Sequence, residues 1–156
     1  PRSMEVAGRV ADGVVLAEGA GPTYVRAARA QAGNPAGFRT SVFSALCIEP
    51  ERRTAYRWMA QVVAGWLGSS NPPMAAHPHA DEIHERVQAH GADGLLDMPR
   101  EWWLELGAIG TFDDVVEHLE LLADAGVHDV ALFPAPELHT AREQIDDVVR
   151  LAAALR

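Results

Sequence analysis

Lysine is absent from this chain, and all 13 of its basic residues are arginines. Set against 22 acidic residues they leave a formal charge of -9. Neutralising phosphates takes clustered positive charge, so an acidic surface without lysine argues against nucleic acid as the partner. The one basic cluster, Arg52, Arg53 and Arg57, falls on a helical pattern among acids and reads as a solvated face. Cysteine is nearly absent as well. Cys47 stands alone, so the chain by itself makes no disulfide framework and no cysteine-based zinc site, and a reduced, cytoplasmic setting is expected. No apolar run approaches the ~20 residues of a membrane span, and no signal peptide is visible. Also missing are a Ser-His-Asp arrangement, a P-loop and a complete dinucleotide fingerprint.

What is present is an alternation of strand and helix. Residues Ala7 to Leu16 carry the clearest junction: a helix ending in Ala-Gly-Arg, an Ala-Asp-Gly turn, and a strand entered at once. Gly13 supplies the backbone freedom of an Asp-Gly turn, and Val14, Val15 and Leu16 suit a strand covered on both faces. Three strand-like runs alternate with helical ones, which predicts βα units and a parallel sheet. They are Val14 to Ala17, Thr40 to Ile48, and Val130 to Phe133 with its stop at Pro134.

The helical patterns between them have readable ends. Thr23 to Ala32 closes at Gly33, and Pro50 suits the first turn of a helix carrying Ala55, Met59, Val62, Val63 and Trp66 up to Gly68. Thr111 with Asp114 marks the start of a helix whose stripe is Val115, Val116, Leu119, Leu122 and Ala123, with Gly126 as its cap. The last helix places Ile145, Val148, Val149, Ala152 and Leu155 on one face. From Ser69 to His79 the composition is that of a loop, with Asn71-Pro72-Pro73 opposing regular structure. Two short helices, Asp81 to His90 and Pro99 to Leu106, complete a helical excursion over about residues 69–108.

Three segments, taken in order, resemble the second half of the luciferase-like flavin and deazaflavin oxidoreductases. Pro1 to Leu16 is similar to the family's Gly-Pro-x-x-x-x-x-Ala-Gly-x-x-Ala-Asp-Gly-hydrophobic segment, lacking the first glycine. Leu106 to Val115 resembles its Gly-Thr-Pro-Glu-Asp-Val segment, with Phe112 in place of the proline. Ala125 to Pro134 resembles its final Ala-Gly-Val-hydrophobic strand. The family's fold is a (β/α)8 barrel of ~250 residues, and this chain has 156.

The resemblance therefore implies one partial domain over residues 1–156: strands six to eight of an incomplete barrel, preceded by the helix after the fifth strand at Ser3 to Arg9. Because the chain opens on Pro1 rather than methionine, an upstream segment is expected.

The resemblance also implies function. Such enzymes bind coenzyme F420 or FMN at the C-terminal face of the strands, and F420 is slightly preferred here with FMN as the alternative. The phosphate of the cofactor is expected at Pro1, Arg2, Ser3 and Met4, and again at Ala17, Glu18 and Gly19. A helix start with Ser3 and Arg2 suits an anion, whereas Glu18 repels one unless it points away. Ala20 stands where relatives that use sugar phosphates carry lysine, so no sugar-phosphate substrate is assigned. A small-molecule substrate and a homodimer of the whole protein are further expectations.

Single residues carry competing readings. His77, His79 and His84, with Asp81 and Glu82 between, are dense enough for a metal, but a polar loop and solvated helix explain them more simply. His79 or His84 can instead line a substrate mouth. Glu49 and Phe133, at the ends of the second and third strand runs, are placed for the pocket by the rule that active sites use strand C-termini. Trp102 and Trp103 suit packing against the barrel wall better than stacking on a flat ligand, Cys47 reads as a small core residue, and Asp12 serves the turn. No catalytic residue is assigned. Two functions stand against each other: an oxidoreductase or monooxygenase of this class, to which the chain contributes without acting alone, and a non-catalytic half-barrel that self-assembles or joins a partner through its uncovered sheet edge.

Overall fold

The computed structural model describes residues 2–68, 71–135 and 138–155, with no account of the side chains at 138–141. Helix α1 (Arg2–Val10) leads across the Ala11-Asp12 turn into β1 (Gly13–Leu16). A Cβ at Gly13 would lie 2.4 Å from the Arg39 carbonyl oxygen, so the close strand approach there requires glycine. Then follow α2 (Pro22–Ala32), β2 (Arg39–Ile48) and α3 (Arg52–Leu67). The excursion comprises α4 (Pro72–Ala75), α5 (Ala80–His90), a 3-10 turn at Gly91–Leu95 and α6 (Arg100–Trp103). Strand β3 (Ala108–Gly110), α7 (Phe112–Asp124), β4 (Asp129–Pro134) and α8 (Leu138–Ala154) complete the order.

All strand pairs are parallel. The three long runs lie side by side: β2 is central, with β1 along its start and β4 along its middle. Val42 pairs with both Leu16 and Val130, so β1 and β4 flank opposite edges of β2. Leu46 pairs with both Ala108 and Pro134, which puts β3 on the same edge as β1, further along.

Helices cover most of one face of this sheet. Leu16, Val42, Leu46 and Ala108 pack there with Val25 and Ala28 of α2, Val115, Leu119 and Leu122 of α7, and Leu151 of α8. Each of the leucine and valine side chains among them contributes about 1.5–3 kcal/mol by leaving water. The other face is open at the start of the strands, where Val15 is 63% and Phe43 46% exposed. Higher up it is closed: Ala45, Cys47 and Ile109 lie under Tyr56, Met59 and Val63 of α3 and under Trp103 and Leu106. Trp103 stacks on Tyr56 with ring centroids 4.3 Å apart, and Trp102 stacks on His79, so both tryptophans serve packing.

Several boundaries differ from the sequence reading, each for a local reason. Strand β3 is only three residues long, too short to show a pattern among glycines. Pro72 and Pro73 start a helical turn instead of preventing one, because Asn71 caps it by accepting from Met74 N at 3.1 Å. Pro50 stands outside α3, whose N-cap is Glu51. The second of the short helices spans only Arg100–Trp103. Among the described side chains of α8 the buried ones are Gln144 and Leu151, while Ile145 and Val149 are 66% and 69% exposed. Of the apolar stripe read from the sequence, Val148, Ala152 and Leu155 border a cavity of about 550 Å³ beside Val130 and Leu132 of β4, while Ile145 and Val149 face solvent.

Candidate site at the C-terminal ends of the strands

Every parallel strand ends on the same side of the sheet, and the loops beyond Leu16, Ile48, Gly110 and Pro134 gather there. Helix α1 runs down to the start of β1, and α2 departs from its end. Both helix starts therefore lie on this side. The contact of α1 with α2 is close: a Cβ at Gly8 would sit 1.9 Å from the Ala32 oxygen.

At the end of β2, the Glu49 amide donates to Gly110 O at 3.0 Å and fixes the strand exit. Glu49 then borders a cavity of about 660 Å³ with Arg52, Thr111, Phe112, Gln144 and Arg150 among its walls. The cations there are committed. Arg52 Nε lies 2.7 Å and Arg100 Nε 2.5 Å from the buried Asp114 carboxylate, and Arg100 also pairs with Glu117. Thr111 completes a capping box with Asp114, donating from its backbone N at 2.9 Å and its hydroxyl at 2.8 Å. Burial would raise the Asp114 pKa, but hydrogen bonds from Arg52, Thr111 and Arg100 outweigh it and hold it at about 2. Arg150 pairs with Asp147 at 2.6 Å and lies over the Phe112 ring at 4.4 Å. Gln144 is 2% exposed; its Oε1 accepts from Ala135 N at 3.4 Å, and its Nε2 has no partner among the described residues. Sequence reasoning missed Gln144, because a glutamine inside an apolar helix pattern reads as a surface residue.

The pocket residues named from the sequence are only partly gathered. Glu49 borders this cavity. Phe133 lies on β4, paired with Ala45, and packs against the cluster around Tyr56 and Trp103. His79 is elsewhere, stacked on Trp102 at 4.3 Å at the head of α5, and 3.5 Å from Glu82. His77 is buried: its Nε2 donates to Trp102 O at 3.1 Å, and its Nδ1 accepts from His79 N at 3.0 Å. That arrangement uses both ring nitrogens for structure. Among the described residues no group of histidine, cysteine and carboxylate side chains is placed to hold a metal. Cys47 is fully buried, and burial, with Glu49 beside it, pushes its thiol up to about 12, so it is a core residue and no nucleophile.

The two expected phosphate positions differ in kind. At the start of α1, Arg2 and Ser3 are exposed and Met4 is partly buried against the core beside Leu16 and Val25, so this helix end is open to a ligand. Pro1, the remaining member of that group, lies outside the described residues. The β1–α2 loop is closed. Ala17 and Glu18 are exposed, but Gly19, Ala20, Gly21 and Pro22 are buried. Gly19 has φ +80, and a Cβ there would meet the Trp66 ring at 3.4 Å. Three amides following these residues are in use: Ala20 N donates to Ala17 O, Gly21 N to Gly19 O, and Thr23 N to Glu105 Oε2 at 3.0 Å. No cation faces them in any hydrogen bond or ion pair described for this loop. The described residues of the first position are exposed or partly buried, and beyond the second the amides of Ala20, Gly21 and Thr23 are already bonded.

Comparison with known proteins bears on the class. No family model and no curated protein sequence matches the chain. Solved structures do match its fold. A coenzyme F420-dependent tetrahydromethanopterin reductase from Methanopyrus kandleri is similar over 85% of this chain and 42% of its own, at 21% identity and a TM-score of 0.59. An F420-dependent secondary alcohol dehydrogenase, solved with an F420-acetone adduct, is similar over 100% of this chain and 46% of its own, at 18% identity and a TM-score of 0.60. A riboflavin lyase with modified FMN and riboflavin matches at 18% identity and a TM-score of 0.52, over 98% of this chain and 41% of its own. These are luciferase-like barrel enzymes, so the fold is a parallel α/β arrangement matching part of such a barrel. The chain spans less than half the length of each of the three.

Proposed function

We propose that this chain is the closing arc, strands six to eight, of a luciferase-like (β/α)8 oxidoreductase that uses coenzyme F420, with FMN as the alternative. One observation carries the reading: three hydrophobic strands lie parallel and adjacent in the order β1, β2, β4, with helices along one face and, at the strand starts, an open apolar surface on the other, which α3 and the excursion close higher up. Val15, Phe43 and Ala131 form that surface, the side that faces inward in a closed barrel. Below them Arg39 holds Asp129 through two hydrogen bonds of 2.9 Å, and Ser41 donates to the same carboxylate at 3.1 Å.

In this reading the deazaflavin or flavin supplies the hydride or oxygen chemistry when bound. The chain's own residues bind and shape. The start of α1, with Arg2, Ser3 and Met4, holds the anionic end of the ligand through exposed amides, a hydroxyl and a guanidinium. Glu49 and Phe133 contribute to the substrate wall, and the excursion roofs the upper half of the sheet and excludes water from it. Ala17, Glu18 and Gly19 border the loop without gripping a phosphate. A small molecule is the substrate, the protein acts in the cytoplasm, and the complete enzyme is a homodimer.

The test is a titration of the purified protein with F420 and, separately, with FMN, followed by absorbance and fluorescence. Saturable binding of one of them supports the reading, and the tighter ligand identifies the cofactor. An R2A/S3A double variant then weakens binding about tenfold, the scale of one lost charge-assisted hydrogen bond. Binding of neither rejects both cofactors and leaves the non-catalytic, self-assembling half-barrel.

A further inference from the structure

A buried side-chain amide without a partner borders the cavity beyond β2. Gln144 is 2% exposed on α8, on the face it shares with Asp147 and Leu151 at helical spacing. Its Oε1 accepts from Ala135 N at 3.4 Å, and that donor fixes which way the amide group points. The Nε2 end is left with no acceptor among the described residues. A buried nitrogen of this kind keeps the cost of leaving water, and an acceptor brought by a ligand removes it. Gln144 stands in the wall of the cavity of about 660 Å³ together with Glu49, Phe112 and Asp113.

The charges around the cavity decide which acceptor suits it. Both of its arginines are engaged, Arg52 by Asp114, and Arg150 by Asp147 and the Phe112 ring. The start of α7 carries its own acids, Asp113 and Asp114, so its dipole calls for no further anion. No hydrogen bond or ion pair is described for the side chains of Glu49 and Asp113. A ligand carboxylate would be repelled by these two, and a bare ammonium would leave Gln144 unanswered. A carboxamide answers both needs: its carbonyl oxygen accepts from an amide nitrogen, and its N–H groups donate to a carboxylate. Ile48 and Phe112, which pack into the cluster under α7, give apolar wall to the rest of the molecule.

We propose that this cavity binds an uncharged carboxamide, an amide or a lactam, with its carbonyl on Gln144 Nε2 and its N–H on Glu49. The inference gives a chemical class to the substrate wall proposed at Glu49, and rests on that reading only in taking Glu49 as a wall of the ligand pocket. It needs no bound flavin or deazaflavin. The probes are benzamide, benzoate and benzylamine, which share a ring and differ in charge. Each is added to the 15N-labelled chain, native, Q144M and E49Q, while NMR follows the Gln144 side-chain NH2 and the amides of Phe112 and Asp113.

In the native chain benzamide is expected to shift these signals saturably, with benzoate and benzylamine at least about tenfold weaker. Q144M, apolar and of similar size, is expected to bind benzamide about tenfold more weakly, the scale of one hydrogen bond lost from a buried ligand. E49Q serves if Q144M fails to fold: it keeps an acceptor but removes the repulsion, so benzoate gains several-fold. Equal affinity for benzamide and either charged probe overturns the proposal, as does an unweakened Q144M or a benzoate affinity unchanged in E49Q. A native chain without a saturable response to benzamide overturns it too. A chain that binds F420 or FMN but no benzamide loses only this inference, and one that binds benzamide but neither cofactor loses only the cofactor reading.

Discussion

Acidification tests the turn at Leu104, which His118 fastens to the Ser44 hydroxyl of β2. His118 is fully buried between α7, β2 and the turn at Leu104, and burial lowers its pKa to about 4 despite the hydrogen bond to Leu104 O. In the unfolded chain a histidine titrates at ~6.5, so that chain takes up its proton first as pH falls. The neutral ring therefore contributes stability that is complete above ~6.5 and is lost as pH drops toward the folded value. With 6.5 unfolded and about 4 folded, the loss between pH 7.5 and pH 5 is about 2 kcal/mol. The carboxylates with lowered pKa, Asp114, Glu82 and Asp129, lose their contribution below this window. His77, which burial also lowers, adds to the loss with the same sign.

The assay is urea unfolding at a series of pH values for the native chain and for H118Q, together with the NMR titration of the His118 ring. The native chain is expected to lose about 2 kcal/mol or slightly more from pH 7.5 to 5. H118Q is expected to be about 1–3 kcal/mol less stable at pH 7.5, from imperfectly paired Ser44 and Leu104 groups, but nearly flat across the window. A variant with the native pH slope refutes the reasoning, as does a His118 ring that titrates near its ordinary value in the folded protein.

Two further changes probe the scaffold around the strand ends. D114A removes the shared acceptor of Arg52, Arg100 and the Thr111 cap, and leaves the two guanidinium groups close together with Glu117, on Arg100, as the remaining described counter-charge; since both arginines are partly exposed, the expected cost is about 2–4 kcal/mol in chemical denaturation, and a cost under about 0.5 contradicts the role assigned. G8A drives a methyl group into the Ala32 carbonyl and should lift α1 from α2, with about 1–3 kcal/mol lost and faster amide exchange along residues 2–10. An unchanged exchange pattern in G8A would show that α1 does not depend on that approach.

The sequence determined the periodic parts of this protein. Gly33, Gly126 and the Thr111-Asp114 pair end and begin helices as their chemistry dictates, because a cap is a contact between near neighbours. The three long strands were legible for the same reason, since continuous apolar runs between turn residues leave few other conformations, and their likeness to a luciferase-like half-barrel agrees with the parallel sheet. What lay beyond a few residues' reach was not legible. Nothing local distinguishes Ile145 from Leu151 on α8, because both belong to one apolar helix, and only the packing of the helix on the sheet selects the buried side. The pairing of Glu105 with Thr23 joins residues 82 positions apart, through a glycine whose need appears only when the two chains meet. Residue type set the charge of an acidic, lysine-free chain; the tertiary fold decided that the Glu105 carboxylate meets the start of α2, because electrostatic partners are set by distance in space and not by order along the chain.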